Sequence, residues 1–193
     1  MAGNLAGSSD RYFEKLSKAI THVDREAFDR GVSMVSDAWQ RDAQIITLGN
    51  GGSSMTALHY ITDWNKSIFL RGKRPFRGRT LIDNMGLVFA YANDISFESV
   101  FEEQLKSCLV SGDLVVALSG SGNSKNVLRA VEYANEHGAV TLGLCGYDGG
   151  KLMGIVQHAI WIEAHDMQIC EDLHAVFGHV VMQSLCGMLQ PTG

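Results

Sequence analysis

Short aliphatic runs alternate with amphipathic stretches along most of this chain. The runs near 44–48, 78–82, 113–118, 139–144 and 158–163 read as strands, and Leu114-Val115-Val116-Ala117-Leu118 is the most uniformly apolar of them. Apolar side chains at successive positions mean burial on both faces, as in a parallel strand covered by helices above and below. The stretches near 53–66, 84–92, 96–108, 124–137 and 167–189 read as helices. Residues 10–40 read as two more, split near Thr21-His22-Val23-Asp24, with Asp24 as N-cap of the second. This order predicts an α/β three-layer sandwich: a five-stranded parallel sheet of flavodoxin-like strand order, with right-handed crossovers and helices on both faces. The chain, 1–193, is read as one domain, with residues 1–9 flexible.

Two of the strand-to-helix turns stand apart from the rest. Ser119-Gly120-Ser121-Gly122-Asn123-Ser124 follows one apolar run, and Gly49-Asn50-Gly51-Gly52-Ser53-Ser54 follows Ile45-Ile46-Thr47-Leu48. Glycines let the backbone approach an anion closely, and hydroxyls and helix N-terminal N–H groups supply donors. Serine and glycine also dominate ordinary loops. Two such turns in one open sheet favour the anion site, which belongs at the carboxyl ends of the strands. Neither turn is GxGxxG or GxxxxGK[ST], so a small phosphorylated metabolite fits better than a dinucleotide or a nucleoside triphosphate.

Met167 to Leu189 is apolar around most of its circumference, through Val176, Phe177, Val180, Val181, Leu185 and Met188. A surface helix keeps a polar stripe, so this one is expected to be buried on several sides, in part against a second subunit.

Composition narrows the partners. The 193 residues are 46% hydrophobic with a net charge of −5, which suits a compact globular chain and predicts no nucleic-acid partner. No run is long enough to span a membrane, and the first residues lack the charged and apolar regions of a signal peptide. Cys108, Cys145, Cys170 and Cys186 show no CxxC spacing, and the expectation is reduced thiols in a cytoplasmic protein. Arg71, Lys73, Arg74, Arg77 and Arg79 form a basic run, read as a solvated loop or a rim that attracts an anion.

Candidate chemistry lies on two helices. His59 and Asp63 are four apart and share a helix face, and the last helix carries Glu171, Asp172, His174 and His179. If the two helices meet, His59, Asp63, Glu171 and His179 make a set with two imidazoles and two carboxylates. Such a set suits a divalent metal, zinc first, or metal-free acid–base work. His22, His137 and His158 are read as satisfied or solvent-facing histidines.

Several of these segments occur together in a familiar order. Gly49-Asn50-Gly51-Gly52-Ser53, His59, Asn93-Asp94, Phe97-Glu98, the serine turn at 119–124, Gly146-Tyr147-Asp148-Gly149-Gly150 and Glu171-Asp172…His174…Gly178-His179 resemble the SIS (sugar isomerase) domain family. The resemblance is strongest to its phosphoheptose isomerase branch and covers nearly the whole chain. It implies a homotetramer with sites at subunit interfaces, acting on a small sugar phosphate by aldose–ketose isomerisation. Ser53, Ser119, Ser121 and Ser124, with Gly51, Gly52 and Gly120, would hold the phosphate; Asn50 and Asp94 would contact the sugar chain. His59, Asp63, Glu171 and His179 would ligate the metal, with Asp63 also the base and His179 the acid. Asp63 stands where the family has glutamate, and Glu171 where it has glutamine. The alternatives are another sugar phosphate, or a phosphosugar-binding protein without catalysis.

Overall fold

The computed structural model describes residues 7–189. Two helices come first, α1 (Ser8–His22) and α2 (Arg25–Gln40), the second capped by Asp24, whose carboxylate accepts from the Ala27 N–H at 3.0 Å. Residues 1–6 of the segment expected to be flexible lie outside the described residues. Ser8 and Ser9 are already helical, so the expectation is corrected there: Gly7 takes a left-handed φ of 70° and starts the helix, with Asp10 in its first turn.

The alternating part then runs β1 (Ile45–Gly49), α3 (Gly51–Asp63), a π-helical turn (Trp64–Ile68), α4 (Phe69–Gly72), β2 (Gly78–Thr80), α5 (Met85–Asp94) and α6 (Val100–Cys108). It continues through β3 (Leu114–Ser119), α7 (Lys125–Glu136), β4 (Val140–Cys145), α8 (Gly150–Ile155), β5 (His158–Trp161) and α9 (Met167–Met188). All strand pairs are parallel and the order is β2-β1-β3-β4-β5, the flavodoxin-like order expected. The polypeptide leaves β1 toward β2 on one side, while β3 lies on the other. The switch point of the sheet therefore falls between β1 and β3.

Side-chain alternation along the strands sorts the core into two halves. Leu114, Val116 and Leu118 of β3 face α1, α2, α3 and α9, where Trp39, Tyr60, Trp64, Phe177 and Val181 pack. Val115 and Ala117 face the opposite layer with Ile46 and Leu48, against Phe101, Leu105, Val127 and Val131. Helical structure after β1 extends past the expected 66 as far as Gly72, because Trp64 and Ile68 are fully buried and hold the π-helical turn against the core. Two residues of the basic run are engaged by the fold. Arg74 lies over the Trp39 ring at 5.1 Å and donates to the Trp39 and Gln40 carbonyls, and Arg77 pairs with Asp42 at 3.3 Å.

Helix α9 buries Ile169, Leu173, Phe177, Val181 and Leu185 within the chain. Val176 and Met188 stay 42% and 62% exposed, and an apolar groove of about 410 Å³ runs along Ile20, Val23, Phe28, Leu173, Val176 and Val180. No helix among the described residues is long and apolar enough to cross a membrane. All four cysteines are free, with Cys145 and Cys170 buried.

Candidate sugar-phosphate site

The two Gly/Ser turns meet at the switch point. Asn50, Gly51, Gly52 and Ser53 form one wall of a cavity of about 260 Å³, and Leu118, Ser119, Gly120, Ser121 and Ser124 form the other. Met167 and Glu171 close it from the start of α9. Among the described residues no lysine or arginine lines it. Attraction for an anion must come from hydroxyls and from the N-termini of α3 and α7. Both helix starts are arranged for that: Asn50 caps α3 and Ser124 caps α7 by position, yet neither side chain bonds to its own helix. Ser124 instead receives the Ser119 hydroxyl at 3.2 Å, and the Ser121 hydroxyl accepts from the Asn123 N–H at 3.2 Å.

Close approach explains two of the glycines. A Cβ on Gly52 would lie 2.4 Å from Glu171 Oε1, so glycine there admits the carboxylate to the cavity wall. Gly122 has a φ of +65°, and a Cβ on it would lie 2.1 Å from the Gly149 carbonyl oxygen. The segment 146–150 buttresses the serine turn from behind: Gly146 N–H donates to the Gly120 carbonyl at 2.8 Å, and Leu152 N–H to Gly122 at 2.9 Å.

The second part of the site sits farther along α3 and α9. His59 Nε2 is 3.0 Å from His179 Nε2 and 3.4 Å from Asp63 Oδ2. The two imidazoles meet edge to face, with centroids 5.2 Å apart. Their buried neighbours set this meeting. Tyr60 stacks on Trp64 at 4.8 Å and donates its hydroxyl to the His174 carbonyl, while Trp64 Nε1 donates to the Gly178 carbonyl at 2.9 Å. Gly178 is the contact point of the two helices, since a Cβ there would lie 2.2 Å from atoms of the Tyr60 ring. His59 and His179 thus each follow or precede a residue locked in the α3–α9 seam.

The described residues bring together His59, Asp63 and His179, whose ligand atoms all lie within 4.8 Å of one another. Glu171 stands in the other part of the site, at Gly52. It precedes His179 by eight residues, which is about 12 Å along the helix axis. Asp94 is exposed at the end of α5, bonded to Asn93 at 2.8 Å, and does not line the cavity. Asp172 accepts the Tyr12 hydroxyl at 2.7 Å, which pushes that phenol up to about 12. His174 is 1% exposed with neither ring nitrogen bonded, and burial holds it down to about 4, so it belongs to the core rather than to the reacting groups. His22, His137 and His158 each bond a carbonyl at 2.8 Å, as satisfied histidines should.

The spacing of the donor set suits a divalent metal. Tetrahedral zinc with Zn–N bonds near 2.0–2.1 Å places ligand atoms about 3.3 Å apart. Two of the three edges, 3.0 and 3.4 Å, match that spacing, the third atom pair lies within 4.8 Å, and two imidazoles with a carboxylate are ordinary zinc donors. Three protein ligands leave a position open to a substrate oxygen.

A larger cavity of about 460 Å³ lies between α1 and the segment before α9. Its charges are mixed, with Lys15, Lys18 and His22 against Glu163 and Asp166, and Lys15 pairs with Asp166 at 3.0 Å. Size does not make it the site; the smaller cavity has the converging hydroxyls and helix ends.

A switch-point anion cradle on a five-stranded parallel sheet defines a class of α/β proteins that hold a phosphorylated ligand at the strand ends. Within that class the chain belongs to the SIS domain family, whose model matches residues 11–146. Its relatives include the phosphoheptose isomerase of Rhodospirillum rubrum, 31% identical over 164 residues and 85% of each chain. The phosphoheptose isomerase of Fusobacterium nucleatum is 29% identical over 189 residues, 97% of this chain and 96% of its own. The structure of phosphoheptose isomerase from Neisseria gonorrhoeae superposes with a TM-score of 0.87 at 23% identity, covering 94% of this chain and 98% of that one, a likeness of fold.

Asn126, Tyr60, Trp64 and Met167 escaped the sequence reading. Only Asn126 carried a local signal, an amide in the first turn after a serine cap.

Proposed function

We propose that this protein converts sedoheptulose 7-phosphate to D-glycero-D-manno-heptose 7-phosphate, through an enediol. One observation carries the reading: the anion cradle and the His59–Asp63–His179 cluster share α3 and α9, so one extended ligand can reach both. Relatives named phosphoheptose isomerase along nearly the full chain support it.

The phosphate lies in the cradle, held by the hydroxyls of Ser53, Ser119, Ser121 and Ser124 and by N–H groups at the helix starts. Its binding energy positions the carbons at the other end. Asn50 lines the wall past which the sugar chain runs, its amide engaged by Asn126, and Asp94 stands outside the cavity. Asp63 removes the proton from the carbon next to the carbonyl and returns it to the neighbouring carbon. His179 gives a proton to the carbonyl oxygen as the enediol forms, and takes one back from the neighbouring hydroxyl as the aldehyde forms. Asp63 is one methylene shorter than the family's glutamate, and its reach to His59 at 3.4 Å keeps it in the cluster. A divalent metal, zinc first, held by His59, Asp63 and His179, would supply polarisation of the carbonyl, whereas Glu171, expected as a fourth ligand, faces the cradle instead.

The exposed apolar positions of α9 and its groove support a homo-oligomer, which we propose to be a tetramer with sites at subunit interfaces. The free cysteines fit work in the cytoplasm.

Purified protein incubated with sedoheptulose 7-phosphate in D2O tests the reaction. The expected result is aldose formation with solvent deuterium at the exchanged carbon, reduced by chelator. Turnover of a five- or six-carbon sugar phosphate instead would replace the substrate, and no turnover across a C5–C7 panel would favour a binding protein. Light scattering after gel filtration reads the assembly.

A further inference from the structure

The first Gly/Ser turn is joined to α7, the helix that follows the second, by a bond pair that no part of the proposed chemistry uses. Asn50 Nδ2 donates to Asn126 Oδ1 at 2.8 Å, and Asn126 Nδ2 donates back to Asn50 Oδ1 at 2.9 Å, across 76 residues of sequence. Asn126 is 2% exposed in the first turn of α7, and its Oδ1 also accepts from the Val127 N–H at 3.0 Å. That third bond fixes which end of the Asn126 amide is oxygen, and the reciprocal pair then fixes the orientation of Asn50. The strands beneath are neighbours, with Gly49 opposite Leu118. The clasp therefore ties the first turn, just where it leaves β1, to the start of the helix that follows the second turn.

It also diverts Asn50 from its usual work. An asparagine at an N-cap normally accepts from the N–H two or three residues on, here Gly52 or Ser53. Asn50 makes no such bond. Turned toward Asn126, it leaves those donors to the cavity.

We infer that Asn126 is a positioning residue for phosphate binding, acting through Asn50 to hold both turns at the spacing that grips one phosphate and to keep the first N–H groups of α3 free for it. The inference rests on the sugar-phosphate reading of the cavity.

Asn126→Ser, Asn126→Leu, Asn50→Ala and the double variant Asn50→Ala/Asn126→Ser test it, with inorganic phosphate as the binding probe and sedoheptulose 7-phosphate as the substrate. Each single variant is expected to weaken inorganic phosphate by roughly tenfold, the worth of one or two lost hydrogen bonds. KM should rise by a similar factor while kcat stays within roughly twofold, the sign of lost uniform binding. The double variant should bind phosphate no more weakly than the weaker single one, because both break the same clasp. Folded Asn126 variants with the parent's phosphate affinity would overturn the inference, as would single effects that multiply in the double variant. If the Asn126 variants do not fold, the side-chain amide signals of the parent decide. Shifts of the Asn50 and Asn126 NH2 pairs on phosphate addition support the clasp's role, and unmoved signals with phosphate bound overturn it. A parent that binds neither inorganic phosphate nor a sugar phosphate overturns the inference and the reading beneath it; a parent that binds while its variants match it overturns the inference alone.

Discussion

At the carboxyl ends of β1 and β3, Ser119, Ser121 and Ser124 are bonded within their own turn, Asn50 is bonded to Asn126 at the start of α7, and Gly146 and Leu152 brace the serine turn from behind. Farther along α3 and α9, the side-chain hydrogen bond, ion pair and ring contact of His59, Asp63 and His179 among the described residues are with one another. Their placement comes instead from the helix seam, through Tyr60, Trp64 and Gly178. The cradle is preorganised by local hydrogen bonds, the reacting end by packing. Damage should divide the same way: loss of a cradle group weakens binding, and disturbance of the seam changes the rate.

Asp63→Asn tests the division hardest. It keeps the size of the side chain but removes the proposed base, so turnover of sedoheptulose 7-phosphate should fall by roughly 10²–10⁴ while inorganic phosphate still binds. Unchanged turnover would take Asp63 out of the chemistry.

His174 sits on α9 between the two regions. Its imidazole ordinarily titrates near 6.5, and burial holds it at about 4. The unfolded chain therefore binds a proton here that the native state refuses, and stability falls as pH drops from 6.5 through 4. The full loss is about 3 kcal/mol. Thermal melts from neutral to acid pH should show this limb, and His174→Met should flatten it; an equally steep limb in the variant assigns acid sensitivity elsewhere.

Gly178→Ala attacks the seam. The new methyl must displace the Tyr60 ring, at a cost of about 1–3 kcal/mol. Because the same shift separates His59 from His179, kcat should drop with KM little changed. A loss of stability with kcat intact would mean that the seam does not set the cluster.

Ser119→Ala is the mildest change. Loss of one hydroxyl should raise KM by about fivefold to tenfold with kcat nearly constant. A fall in kcat alone would blur the boundary between cradle and reacting end.

The parts of the molecule that sequence made visible are those with local signals. Leu114–Leu118 is apolar at every position, and a buried strand was the direct consequence. The turns at 49–54 and 119–124 carried their chemistry in their own composition. His59 and Asp63 were paired by helical spacing alone. What stayed hidden needed distant partners. The Asn50–Asn126 clasp joins residues 76 apart. The Tyr60 and Trp64 bonds to α9 each cross 114 residues. Helix α8 was hidden because it opens on Gly149 and Gly150, both at positive φ, which read as loop. His174 shared a segment with reacting groups, and only its burial separates it from them. Glu171 shared a helix side with His179, yet its helical rise carries it to the cradle.

The two outermost strands span only Gly78–Thr80 and His158–Trp161. So short a border offers a neighbouring molecule almost no ladder on which to continue the sheet. Copies of this chain that come together are steered toward helix-to-helix association, and the same brevity guards a strongly apolar sheet against runaway fibre growth.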